Sequence, residues 1–117
     1  MHEQLVAEHG GSGTVRDIGL LESALAAPKH RFAYGERDTC VLATAYAYGI
    51  TRNHPFVDGN KRTAFLAAYT FLAINGGELR AREEDVVKMV VGLSDRSVSA
   101  ETFAGWLRTA SRKPRRK

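Results

Sequence analysis

The sequence predicts an all-α fold of about six helices around a buried central helix, with a short extended flap. Two observations carry that prediction. Apolar residues recur at three- and four-residue spacing in several separate stretches joined by short turns, with no repeat, low-complexity block or linker inside the body. One stretch, Lys61 to Ile74, is different: Ala64, Phe65, Leu66, Ala67, Ala68, Tyr69, Phe71 and Leu72 leave almost no polar face, which is the pattern of a helix buried in the middle of a domain. A length of 117 residues with 44% hydrophobic content is enough for one such domain to bury a core without metals or disulfides.

In chain order, Leu5, Val6 and Ala7 form a short apolar patch that stops at Gly10, Gly11 and Gly13, and reads as the last turns of a truncated helix. Gly11 and Gly13 follow no strand and carry no phosphate-loop spacing, so they read as a turn. Asp17 is placed to cap a helix through Ala27, with Leu20, Leu21, Ala24 and Leu25 on one face and Pro28 as its stop. In His30 to Arg37, Phe32 and Tyr34 alternate with other residues before Gly35, which predicts the extended flap. A second helix is expected from about Asp38 to Arg52, ending near Asn53 because Pro55 disfavours helical geometry in His54. The apolar helix from Lys61 closes at Asn75, Gly76 and Gly77. Glu78 to Arg82 reads as an extended link. A helix from Glu83 to about Leu93 is expected to turn Val86, Val87, Val90 and Val91 inward, and a last one, near Ala100 to Ala110, to turn Phe103, Trp106 and Leu107 inward. Tyr46 and Tyr69 read as core.

The net charge of +4 suggests a nucleic-acid partner, yet five of the seventeen Lys and Arg are Arg112, Lys113, Arg115, Arg116 and Lys117. The remaining twelve face thirteen Asp and Glu, a nearly neutral body. Residues 1–110 are therefore expected to form one domain and 111–117 a solvated, disordered basic tail, with no nucleic-acid contact beyond a weak one through that tail. The single cysteine, Cys40, lies in an apolar stretch and reads as a buried, inert thiol. No signal-peptide pattern and no apolar run of membrane-spanning length is present, so no membrane partner and a cytoplasmic location are expected.

The unusual demands of the sequence converge on His54, Pro55, Phe56, Val57, Asp58, Gly59, Asn60, Lys61 and Arg62, which lead straight into the apolar helix. A helix N-terminus exposes unpaired N–H groups and a partial positive charge, so it attracts anions. Gly59 permits close approach of a phosphate, Asn60 can cap or donate, and Lys61 and Arg62 add two full charges. Histidine exchanges a proton near neutral pH, which suits His54 to accept one from a hydroxyl. Asp58 is a hard oxygen ligand of the kind Mg²⁺ uses when it bridges a nucleotide. Phe56 reads as an anchor of the loop in the core. Arg52 and Asn53 read equally as target contacts or as helix caps.

This segment resembles the Fic/Doc motif, His-x-Phe-x-(Asp/Glu)-(Gly/Ala)-Asn-(Gly/Lys)-Arg, and is complete here. Arg16-Asp17 with Leu20 to Leu25, Tyr34-Gly35, Thr63-Ala64, Phe71-Leu72 and Asn75-Gly76 resemble the Doc (death-on-curing) branch, so that the likeness spans about Gly10 to Leu107. The resemblance implies a compact Fic/Doc fold and carries the base role to His54, the Mg²⁺ role to Asp58 and the phosphate contacts to Gly59, Asn60, Lys61 and Arg62, with His54, Asp58, Lys61 and Arg62 as the catalytic set. Most Fic proteins have glycine at the position of Lys61 and transfer AMP from ATP. Doc-like members carry lysine and are thought to bind the nucleotide reversed, with its γ-phosphate toward the histidine. A toxin-type protein kinase acting on a Ser or Thr hydroxyl is therefore expected, with elongation factor Tu as the target the resemblance implies and translation arrest as the result. AMP transfer is the alternative chemistry, and a non-catalytic Fic-like binding module the second. Ser97 to Glu101 is the nearest match to a self-inhibitory Fic helix, but Thr102 follows it where Gly or Asn is required. Inhibition by a separate, Phd-like antitoxin is accordingly what the resemblance implies.

Overall fold

The computed structural model describes residues 14–112. The helix stub expected at Leu5 to Ala7, the turn expected at Gly11 and Gly13 and the tail from Lys113 onward lie outside the described residues. Within them the chain forms five helices: α1 (Ile18–Ala33), α2 (Thr39–Asn53), α3 (Asn60–Ile74), α4 (Glu83–Asp95) and α5 (Ala100–Ala110). Two short strands, β1 (Glu78–Leu79) and β2 (Ser111–Arg112), pair antiparallel with Glu78 opposite Arg112. The first two residues assigned to the tail are thus tied to the body. The fold is all-α, as the sequence predicts.

The central helix is α2, not the one expected. The other four helices all pack on α2, which buries nine residues from Cys40 to Thr51. In α3 only Thr63, Ala64, Ala68 and Leu72 are buried, while Tyr69 is 42% and Ile74 75% exposed. The physical reason is girth. Ala43, Ala45, Ala47 and Gly49 keep α2 thin enough for neighbours to close in from several sides, whereas the ring of large side chains on α3 holds neighbours off. A Cβ on Gly49 would stand 2.9 Å from the Ala24 carbonyl oxygen, so glycine is what lets α1 lie this close.

That contact also bears on Pro28, which does not stop α1 but sits buried inside it. Proline removes the N–H that would bond the Ala24 carbonyl, and this is the carbonyl pressed against Gly49. Packing of the ring and of the Ala24–Gly49 contact offsets the lost bond. The expected flap is consequently absent: His30 to Ala33 are the last turn of α1, and Tyr34 and Gly35 (φ 108°) form its closing turn. Arg37 holds this end in place, its guanidinium 4.0 Å over the Phe32 ring and its Nη1 donating to the Phe32 carbonyl at 2.8 Å. Over so few residues, alternation cannot be told from the exposed side of a helix end.

On α4, Val90 and Leu93 are buried and Val86 is half-buried, but Val87 and Val91 are 54% and 39% exposed. Spacings of four and three put Val86, Val90 and Leu93 on one stripe, and the other two valines lie a third of a turn away. Phe103 and Leu107 of α5 are fully buried, with Trp106 packed on Phe103 at 5.4 Å between ring centres. No helix among the described residues is long and apolar enough to cross a membrane.

Asp38 caps α2, accepting from the Cys40 N–H at 2.8 Å, and its other oxygen accepts from Arg108 of α5 at 2.6 Å. Burial alone would raise the Asp38 carboxyl, but the Arg108 guanidinium and the capped N–H groups outweigh it and hold the carboxyl below its usual range. A depressed carboxylate stabilises the fold above the unfolded-chain value, about 4, and loses that contribution as pH falls through the folded value. Asp38→Asn, which keeps the cap, is expected to lower the melting temperature at pH 7, and the gap to wild type should close on titration below about pH 4. Cys40, next on the helix, is buried as expected, and burial, followed by the nearby Asp38 charge, pushes its thiol up.

Candidate active site

Helix α2 ends where proline requires it. The His54 N–H still donates to the Ile50 carbonyl at 3.1 Å, but His54 itself turns into the left-handed region (φ 47°, ψ 56°). The segment 14–17 runs alongside the loop that follows. Pro55 accepts from the backbone N–H groups of Arg16 (2.6 Å) and Asp17 (3.2 Å), Val15 bridges to Phe56, and the Val57 N–H donates to the Thr14 carbonyl at 2.8 Å. The Arg16 side chain reaches the same place, its Nε donating to the His54 carbonyl at 3.0 Å and its Nη2 to the carbonyls of His54 and Asn53.

Phe56 is 1% exposed and anchors the loop in the core, as expected. Its backbone is held by Asn60, whose Oδ1 accepts from the Phe56 N–H at 3.0 Å and whose Nδ2 donates to the Phe56 carbonyl, also at 3.0 Å. The Asn60 side chain, expected at a phosphate, is therefore a bracket across the loop, and what it offers an anion is its backbone N–H. Asp58 Oδ1 accepts from the Gly59 N–H at 2.8 Å. Gly59 (φ 78°, ψ 15°) is left-handed, a geometry that costs glycine little. No side chain caps the start of α3 at Asn60.

Against this fastened backbone, the side chains of His54, Asp58, Lys61 and Arg62 are all exposed, and Gly59 and Asn60 are half-buried. An uncapped helix N-terminus flanked by a lysine and an arginine can receive an anion. No group of three or more His, Cys, Asp and Glu able to hold a metal occurs among the described residues. Asp58, an exposed carboxylate at this junction, fits the role of a single protein ligand to a cation whose other positions water and phosphate oxygens would fill.

Arg52 and Asn53, read equally as target contacts or helix caps, both bond within the domain, Arg52 at the end of α4 and Asn53 in the first turn of α1. Arg52 Nη2 donates to the Leu93 carbonyl in the last turn of α4 at 3.0 Å, with the guanidinium over the Tyr48 ring, and Asn53 Nδ2 donates to the Leu20 carbonyl at 2.8 Å.

Residues 1–72 match the model of the Fic/DOC family. The chain is 46% identical over 89 residues to "Toxin Doc" of Mycolicibacterium smegmatis, a match covering 69% of this chain and 68% of that one. It is 30% identical over 109 residues to "Protein kinase doc" of Escherichia phage P1, covering 92% of this chain and 86% of that one. The chain belongs to the Fic/DOC family. The family match ends in α3, so it takes in the loop, both helices that the loop joins, and the segment 14–17 clamped to it. Within this Fic/DOC domain the motif side chains come together at one helix junction. Two further contributors were not legible as such: Arg16, which acts across 38 positions of sequence on His54, and the bracket made by Asn60. Only the spacing of Asn60 four residues after Phe56 offered a local signal for either.

Proposed function

We propose that this Fic/DOC protein is a Doc-type toxin that phosphorylates a protein hydroxyl from ATP. The observation that carries the reading is the set of exposed His54, Asp58, Lys61 and Arg62 around the uncapped start of α3, on a loop whose backbone is hydrogen-bonded at His54, Pro55, Phe56, Val57 and Gly59. In this reading the backbone N–H groups of Asn60 to Arg62, together with the Lys61 and Arg62 side chains, bind the phosphates of ATP, and Gly59 lets them approach closely. His54 accepts the proton of the attacking Ser or Thr hydroxyl as its oxygen bonds to the γ-phosphorus. The bond from that phosphorus to the β-γ bridging oxygen breaks, ADP leaves, and His54 releases the proton to solvent. Asp58 would hold Mg²⁺, which when bound neutralises phosphate charge. Lys61, standing where most of the family has glycine, favours γ-phosphoryl over AMP transfer, and the name of the phage relative supports the same choice. The kinship with Doc proteins supports a separate Phd-like antitoxin as partner, a cytoplasmic setting, and elongation factor Tu as the target, with arrest of translation as the result.

The test is intact-mass analysis of elongation factor Tu and of a cell lysate after incubation with the protein, Mg²⁺ and ATP. A phosphate-sized gain is the expected result. An AMP-sized gain would make the protein an AMP transferase despite Lys61, and no gain on any protein would overturn the enzyme reading in favour of a binding module.

A further inference from the structure

Left-handed backbone is strained for a residue with a Cβ, and strain of this kind at a functional position persists only where the surroundings over-determine it. His54 is such a residue. Among the described residues no hydrogen bond holds its imidazole, so the place of the ring is set by the backbone that carries it. That backbone is gripped chiefly by one side chain. Arg16 donates through Nε and Nη2 to the His54 carbonyl and through Nη2 to that of Asn53, two consecutive carbonyls at the C-terminus of α2. A helix C-terminus favours a cation, and the planar fork of a guanidinium can reach two acceptors at once where an ammonium presents a single point. The clamp has a fixed base. The Arg16 N–H donates to Pro55, and the next residue, Asp17, both donates to Pro55 and caps α1 by accepting from the Leu20 N–H at 3.0 Å.

We propose that Arg16 is the positioning residue for His54, its guanidinium fixing the left-handed turn that carries the imidazole. The inference rests on the reading of His54 as the base. Arg16 is exposed and its charge is not buried, so its removal releases the turn without opening the core.

The experiment compares the full-length wild type with Arg16→Gln and Arg16→Lys. It measures kcat and KM for ATP, melting temperature, and the backbone ¹³C shifts of His54, which report its φ. Misplacement of a catalytic group by about 1 Å can cost about 100-fold, so Arg16→Gln should lose between about 10- and 100-fold in kcat with KM for ATP changed less than about threefold. The His54 shifts should leave the left-handed range while the melting temperature moves by only a few degrees. Arg16→Lys, with the charge but not the fork, should fall between. Unchanged His54 shifts, or a loss of kcat that merely follows a loss of stability, would overturn the inference. If the wild type transfers no phosphate, the proposed activity fails, and the His54 shifts of Arg16→Gln still decide whether Arg16 holds the turn.

Discussion

Replacing His54 by asparagine is expected to reduce phosphoryl transfer by about 10²- to 10⁴-fold, the usual contribution of a positioned general base, and to abolish growth arrest on expression. Asparagine is the informative choice because it is one of the few residues with a Cβ that visits left-handed backbone routinely. The native loop uses only the main chain of His54, whose N–H bonds Ile50 and whose carbonyl accepts from Arg16, and the imidazole is exposed. The unfolding free energy from urea titration should accordingly stay within about 0.5 kcal/mol of wild type, as for ordinary surface substitutions. Alanine at the same position would add the cost of the strained turn to the loss of the base and blur the two. Should the asparagine variant modify its target at the wild-type rate, the base lies elsewhere. Asp58→Asn, whose side-chain oxygen can still accept from Gly59, asks the companion question, and is expected to shift the Mg²⁺ requirement rather than the fold.

The parts of the molecule legible in the sequence are those that local rules decide. Helix positions follow from apolar spacing, and α2 ends at Asn53 because Pro55 stands two residues on. The motif residues are neighbours in sequence and could hardly avoid sharing one junction. What escaped depends on partners far along the chain. Whether Pro28 stops a helix turns on what packs against Ala24, and the answer is a glycine 25 positions later than Ala24. The choice between α2 and α3 as the central helix is a matter of girth, since hydrophobicity marks what is willing to be buried and small side chains decide where four neighbours can meet. The donors of Asn60 could not be assigned beforehand, because an amide serves a phosphate or a backbone equally well until the Phe56 N–H and carbonyl are seen beside it. Arg16 looked like one residue of a family likeness, and only the folded chain shows it reaching the His54 carbonyl.

Phe56→Ala is expected to be the most damaging single change within the motif, at about 3–5 kcal/mol for a fully buried phenylalanine, against a total stability of about 5–15 kcal/mol for a domain. Urea unfolding followed by far-UV circular dichroism would measure it. Few substitutions inside a catalytic motif should act this way, since the motif side chains proposed to do chemistry are exposed and Phe56 is 1% exposed. Its ring fixes where the loop meets the core, and its own N–H and carbonyl are bracketed by the first residue of α3. Through that bracket the position of a core side chain, two residues after the proposed base, sets the position of the helix N-terminus proposed to bind phosphate. Phe56→Leu refills part of the cavity and should recover much of the stability. If it also leaves transfer impaired under conditions where the protein is folded, the shape of the ring, and not burial alone, registers the loop against α3. If activity instead tracks the folded fraction in both variants, Phe56 acts only as ballast for the core, and registration of the site falls to Asn60 and Arg16.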